Sequence, residues 1–128
     1  MKFNFNYEEP KIVAEIGCNH MGSMKIAKEL IDLAKESGAK YVKFQKRNNL
    51  ELLTKEQYNS PHPNFYNSYG DTYGAHREFL EFNVNQNKEL KEYCDSIDIV
   101  YSTSVWDVTS AKEMITFEPK FLKVPSAC

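Results

Sequence analysis

The chain has 128 residues, a formal net charge of −2, and 41% hydrophobic residues that include eight Tyr and eight Phe. That length supports one domain with a real core, and the near-neutral charge points to neither nucleic acid nor an anionic membrane as partner. No run approaches the ~18 apolar residues of a membrane span, and Met1–Asn6 carries no signal-peptide core. Three cysteines without a CxxC pair (Cys18, Cys94, Cys128) suit free buried thiols in a cytoplasmic protein.

In chain order, residues 1–10 form a polar lead-in ending in Glu8-Glu9-Pro10. The run Ile12-Val13-Ala14-Glu15-Ile16 has the length and β-branched character of a buried parallel strand, interrupted by one carboxylate. Gly17, Asn19 and His20 make a turn after it. Ile26, Ala27, Leu30, Ile31 and Ala34 then recur at helical spacing, with Ser23 placed to cap the helix and Gly38 to end it. A second strand, Tyr41–Gln45, follows at once. Strand, helix and strand at this spacing make a βαβ unit and hence a parallel sheet.

Residues 46–71 break the rhythm. The two prolines and many turn formers of Ser60–Asp71 exclude regular helix or central strand there, and so long a loop is either a wall of the active site or a mobile insertion. Helix resumes near Thr72, with Phe79, Leu80 and Phe82 expected in the core. Another helix runs from about Asn85 to Ser96, with Leu90, Tyr93, Cys94 and Ile97 on one face. A third strand spans roughly Ile99–Thr103. Asp107 can cap a helix whose stripe is Val108, Ala111, Met114 and Ile115, and a fourth strand covers about Phe121–Val124. Four βα-type units are too few to close a (β/α)₈ barrel, a fold of about 250 residues, and make either a small open α/β sheet or the first half of a longer chain.

In parallel α/β proteins ligands lie beyond the carboxyl ends of the strands. The polar residues at those ends are Glu15 and Asn19, Lys43 and Gln45, Ser102 and Thr103, and Lys123 and Ser126. Taken singly, each lysine reads as an edge or surface residue. Taken together, two ammonium groups, several hydroxyls and one carboxylate suit an anionic substrate, with Glu15 as general acid or base. Alternation puts Lys43 and Gln45 on one face of their strand and Val42 and Phe44 on the other. His20 supports its loop or lines the mouth. His62 and His76 have no partner at metal-ligand spacing, and no GxGxxG or Walker glycine motif is present.

Ala14-Glu15-Ile16-Gly17-x-Asn19-His20-x-Gly22 resembles the opening signature of the sialic acid (nonulosonate) synthases. Val42-Lys43-Phe44-Gln45, Ser102-Thr103 and Lys123-Val124-Pro125-Ser126 resemble later motifs of that family, in the same order. The resemblance implies an α/β fold: the N-terminal half of a phosphoenolpyruvate-dependent TIM barrel over residues 1–128. The rest of the barrel and a C-terminal antifreeze-like domain are expected outside this chain.

The reaction implied by the resemblance joins phosphoenolpyruvate to an N-acylated hexosamine such as N-acetylmannosamine and releases phosphate by C–O cleavage. Carried over residue by residue, it makes Glu15 and Gln45 catalytic and Lys43, Thr103, Lys123 and Ser126 phosphoenolpyruvate ligands, with Asn67 near a sugar-contacting asparagine. It also implies a divalent metal, Mn²⁺ or Mg²⁺, with ligands outside this chain, and a homodimer of the intact enzyme. Thr103-Ser104-Val105-Trp106 departs from the Thr-Pro-Phe of many members and hints at a different acceptor sugar. Two rivals remain open: a Schiff-base aldolase using Lys43 or Lys123, and a non-catalytic phosphosugar-binding module.

Overall fold

A computed structural model describes residues 8–128. The reading of residues 1–7 as polar lead-in lies outside the described residues. Strand β1 (Val13–Gly17) leads into helix α1 (Met24–Glu36), where Ser23 Oγ accepts the Ile26 N–H at 3.3 Å. Ala27, Ile31 and Ala34 are the buried side of the expected stripe. The helix stops at Ser37, and Gly38 follows at φ +85°, a left-handed conformation that L side chains adopt only with strain.

Strand β2 (Tyr41–Lys46) buries Val42, Phe44 and Lys46 and leaves Tyr41, Lys43 and Gln45 half-buried on the other face. The interrupting stretch is more ordered than a single long loop. Helices α2 (Asn49–Leu52) and α3 (Lys55–Asn59) occupy its first half, and a capping box between Thr54 and Gln57 starts the second. The irregular remainder is held onto helix α4 (Tyr73–Leu80). Tyr73 N–H donates to Ser60 O at 2.7 Å, and the Tyr69 ring stacks on Phe79 at 4.7 Å. That stacking explains a correction: Phe79 is 50% exposed and serves the loop, while Leu80 and Phe82 are buried as expected.

Helix α5 (Val84–Ser96) is capped by Asn83 and buries Asn87, Leu90 and Cys94. Strand β3 (Val100–Val105) extends two residues beyond its expected end, and strand β4 (Leu122–Lys123) is only two residues long. Helix α6 (Val108–Met114) keeps Met114 buried, but Val108 and Ile115 of its expected stripe face solvent. Two turns of helix can present only a narrow inward face, here Ser110 and Met114. The cysteines are all free, yet only Cys94 is fully buried; Cys18 is half-buried and Cys128 exposed. Burial pushes the Cys94 thiol up to about 12.

All three strand pairings are parallel, and the order in the sheet is β1-β2-β3-β4, the order in the chain. Sequential winding of this kind starts a (β/α)₈ barrel, whereas a doubly wound sheet reverses its order partway. Ile16, Val42, Phe44 and Tyr101 join Ala27, Ile31, Leu90 and Cys94 in one core cluster between the sheet and its helices. The opposite face of the sheet is polar.

Candidate active site

Glu15 sits opposite Lys43 in the β1–β2 register, so the two side chains leave the sheet on the same face. They form an ion pair there, with Lys43 largely shielded and the Glu15 carboxylate 49% exposed to the mouth. Gln45 lies on that face one pleat further on, and its Nε2 donates to Glu15 Oε1 at 3.2 Å. Gln45 Oε1 in turn accepts the indole N–H of Trp106 at 2.6 Å. A polar chain thus runs Lys43–Glu15–Gln45–Trp106 across the ends of three neighbouring strands.

The β1 exit that carries Glu15 is built for close approach. The pairing of β1 with β2 shifts register between Glu15 and Gly17. Asn19 Nδ2 donates to Ile16 O at 2.9 Å, and His20 Nδ1 accepts the Gly22 N–H at 3.1 Å. Gly22 itself has φ +73°, and a Cβ there would lie 2.5 Å from Phe79 O, so no other residue fits. His20 is buried and stacks on Phe82 at 4.0 Å. Desolvation lowers its pKa to about 4, against a weaker opposing hydrogen bond with the Gly17 backbone, so the ring is neutral near pH 7. His20 therefore supports its loop and does not line the mouth.

The remaining candidates divide. Ser104 pairs with both Gln45 and Lys123, which places Lys123 on the same face as Lys43, two strands away. Ser126 is exposed in the turn that follows Lys123. Asn67, also exposed, lines a separate cleft of about 410 Å³ with Cys18, Asn19 and Tyr69, beside the β1 exit loop.

Thr103 lies apart from the other candidates. It pairs with Phe44, which faces the helices, and it is fully buried. Its Oγ1 reaches only the Ser104 carbonyl, at 3.4 Å, and on the same side of the strand the Tyr101 hydroxyl donates to Asn87 of α5 at 2.7 Å. Burial raises the Tyr101 pKa above its ordinary range. The hydroxyls on the Lys43 face are those of Ser102 and Ser104, with Ser102 Oγ donating to Val42 O at 2.8 Å. The reason is alternation: a strand buried on both faces offers a hydroxyl at either parity, and only register with β2 decides which one faces the mouth.

Sequence reasoning missed Arg47 and Trp106 as parts of the site. Arg47 continues the odd-numbered series Lys43, Gln45 beyond the end of β2, which was the available signal. Its guanidinium lies 4.5 Å from the Trp106 ring centroid and 3.6 Å from the buried Glu81 carboxylate. Burial raises the pKa of Glu81, while the Arg47 backbone N–H and the cations Arg47, Lys46 and Arg77 pull it down. Asp107 follows Trp106 in the chain: its Oδ1 accepts the Ser110 N–H at 2.6 Å and its Oδ2 the Asn48 N–H at 2.7 Å. The exits of β2 and β3 are thereby joined. Among the described residues, no group of three or more His, Cys, Asp or Glu could hold a metal ion. The resemblance places the ligands of its divalent metal outside this chain.

Comparison with known proteins bears on this geometry. The chain is 36% identical over 115 residues to the human N-acetylneuraminate-9-phosphate synthase, covering 90% of this chain and 32% of the relative. It is 33% identical to the N,N'-diacetyllegionaminic acid synthase of Legionella pneumophila, with the same coverage. It thus spans about a third of the length of the curated relatives it matches. Among solved structures, the sialic acid synthetase of Leptospira borgpetersenii superposes with a TM-score of 0.67 at 24% identity, over 88% of this chain and 34% of that one. A spore coat polysaccharide biosynthesis protein E of Chromobacterium violaceum, described as putative, gives 0.70 at 19% identity, over 93% and 34% of the two chains. These two likenesses bear on the fold alone. The NeuB family profile matches residues 30–128, and with the polar chain at its strand ends this protein belongs to the NeuB family of sialic acid and nonulosonic acid synthases.

Proposed function

We propose that this chain carries part of the active site of a phosphoenolpyruvate-dependent nonulosonate synthase. In the proposed reaction C3 of phosphoenolpyruvate attacks the aldehyde carbon of an open-chain N-acylated hexosamine such as N-acetylmannosamine. The new C–C bond leaves a hydroxyl at the former aldehyde, which takes up one proton. Water then adds at C2, and the tetrahedral intermediate expels inorganic phosphate by C–O cleavage to give the ketone.

The observation that carries this reading is the Lys43–Glu15–Gln45 cluster, with Lys123 on the same face of the sheet. In this reading the ammonium groups of Lys43 and Lys123 neutralise the carboxylate and phosphate of phosphoenolpyruvate. Ser102, Ser104 and Ser126 supply hydroxyl contacts. Glu15, half open to the mouth and held at both oxygens, orients the acceptor and passes the proton to its aldehyde oxygen. A Schiff-base aldolase needs a free amine, and Lys43 is engaged as an ammonium with Glu15. A divalent metal held by residues outside this chain, a cytoplasmic location and a homodimer of the whole protein belong to the same proposal.

The test follows the bridging oxygen. Phosphoenolpyruvate labelled with ¹⁸O between C2 and phosphorus, incubated with the whole protein and N-acetylmannosamine, should release phosphate that carries the label. Phosphate release independent of the sugar, or a borohydride-trapped lysine adduct with pyruvate, would overturn the reading.

A further inference from the structure

Glu81 stands where a carboxylate is costly. It is the C-cap residue of α4, at the negative end of the helix dipole, and its side chain is only 8% exposed. Its neighbours Leu80 and Phe82 are buried apolar residues. An amide or an apolar side chain would avoid both penalties, so the charge calls for a task of its own.

Its contacts supply one. Glu81 Oε2 accepts the backbone N–H of Arg47 at 3.1 Å. Oε1 makes no hydrogen bond and lies 3.6 Å from Arg47 Nη1. One carboxylate thus addresses both the main chain and the guanidinium of the residue that follows β2. Lys46, the preceding cation, is answered separately by Glu113 at 3.5 Å. Arg47 Nη1 also reaches Cys18 Sγ at 3.5 Å, and the guanidinium lies 4.5 Å from the Trp106 ring centroid. Arg47 is therefore packed where the exits of β1, β2 and β3 meet. A long side chain keeps one such pose only if something removes its rotamer freedom, and the buried carboxylate does so.

We propose that Glu81 is a positioning residue for the proposed synthase reaction: it holds the Arg47 guanidinium against Trp106, and Trp106 holds the Gln45 amide that faces Glu15. The kinetic consequence rests on that reaction, whereas the geometric one stands without it. Glu81 touches none of the reacting groups, and its influence passes through two side chains in contact. Arg47 released from Glu81 can leave the indole, and an indole without its stacked cation can turn its N–H away from Gln45. The Gln45 amide is then free to flip and offer its oxygen to Glu15, an acceptor against an acceptor.

Two readouts on the whole protein, labelled with ¹⁵N at its tryptophans, test this. The Trp106 indole N–H resonance, assigned by its loss in Trp106→Phe, reports the bond to Gln45, and Gln45→Met gives its position when that bond is broken. Glu81→Gln keeps the size and an acceptor for the Arg47 backbone, and should move the resonance well towards the Gln45→Met position. It should also lower kcat about tenfold, with the KM for phosphoenolpyruvate changed by less than about twofold. Arg47→Lys, which leaves Glu81 in place and gives up the planar stack, should shift the resonance the same way. In an Arg47→Met background Glu81→Gln should add nothing to either readout, because the connection is already cut. An unmoved resonance in either single variant, or effects of Glu81→Gln and Arg47→Met that simply add, overturns the proposal. So does a moved resonance with kcat unchanged in an active enzyme. A resonance that moves as expected in a protein that never condenses phosphoenolpyruvate with N-acetylmannosamine upholds the geometry and counts against the synthase reading instead.

Discussion

The indole N–H of Trp106 meets Gln45 Oε1 at 2.6 Å, across 61 residues of sequence, and this fixes which way the Gln45 amide points. With its oxygen taken, Gln45 can only present its NH₂ to Glu15. Trp106→Phe keeps a ring for Arg47 to stack on but releases that orientation. The expected result is a ten- to hundredfold loss of kcat in the whole protein, about 1.4–3 kcal/mol, with KM for phosphoenolpyruvate nearly unchanged. Steady-state kinetics at saturating sugar check it. Trp106 is the only tryptophan in the sequence, so its fluorescence also reports ligand arrival at Gln45 directly.

Lys43 is largely shielded, while the carboxylate it pairs with is half in solvent. Lys43→Met should therefore cost little stability, within about 1 kcal/mol, because the Glu15 left behind can be hydrated. Phosphoenolpyruvate binding should weaken by ten- to hundredfold, the worth of a charge-assisted contact of roughly 1.5–3 kcal/mol. Calorimetric titration beside a urea melt separates the two effects. A variant that loses stability and keeps its affinity would make Lys43 a structural residue.

His20 supplies a pH dependence with a definite sign. Its folded pKa of about 4 lies below the ordinary 6.5, so the unfolded chain binds the extra proton first. The stability held by the neutral ring is complete above pH 6.5 and declines as pH falls from there towards 4, with an upper bound of about 3 kcal/mol. Desolvation of His76 acts in the same direction. Urea midpoints at pH 7 and pH 4.5 should differ less in His20→Asn than in the parent chain. An equal difference in both would remove His20 from the account.

Asp107 caps α6 and also accepts the Asn48 N–H at the β2 exit. Asp107→Ala removes both at once and leaves a partly buried backbone donor unmet. A loss of about 2 kcal/mol is expected, against about 1 for an ordinary N-cap. Asp107→Asn, which keeps one acceptor oxygen, should recover part of it in thermal melts.

Much of this architecture was legible because local signals and tertiary structure agree. The stripe of α1, its Ser23 cap and the alternation of β2 each follow from residues close in sequence, and they placed Lys43 and Gln45 correctly. Glu15 was visible as a charge that an apolar strand would not carry without a partner. What escaped depends on long-range register. Tyr101 to Val105 are all buried, so the sequence of β3 gives no polar-out side from which to tell Ser102 from Thr103. Arg47 and Trp106 acquire their roles only when two strand exits come together. Phe79 fits the core pattern of α4 and is drawn outward by a loop tyrosine from ten residues earlier in the chain.

The sequential strand order has a kinetic consequence. Each strand docks beside the one synthesised just before it, so the sheet can grow in the order the ribosome delivers it. The closures are unequal: β1 meets β2 across a single helix, whereas β3 must return to β2 after four. Loop closure over that longer span makes the arrival of β3 the slow step. In pulse-labelled hydrogen exchange, amides of β1 and α1 should gain protection before the β2–β3 ladder, and the pocket around Gln45 and Trp106 should form only with the latter.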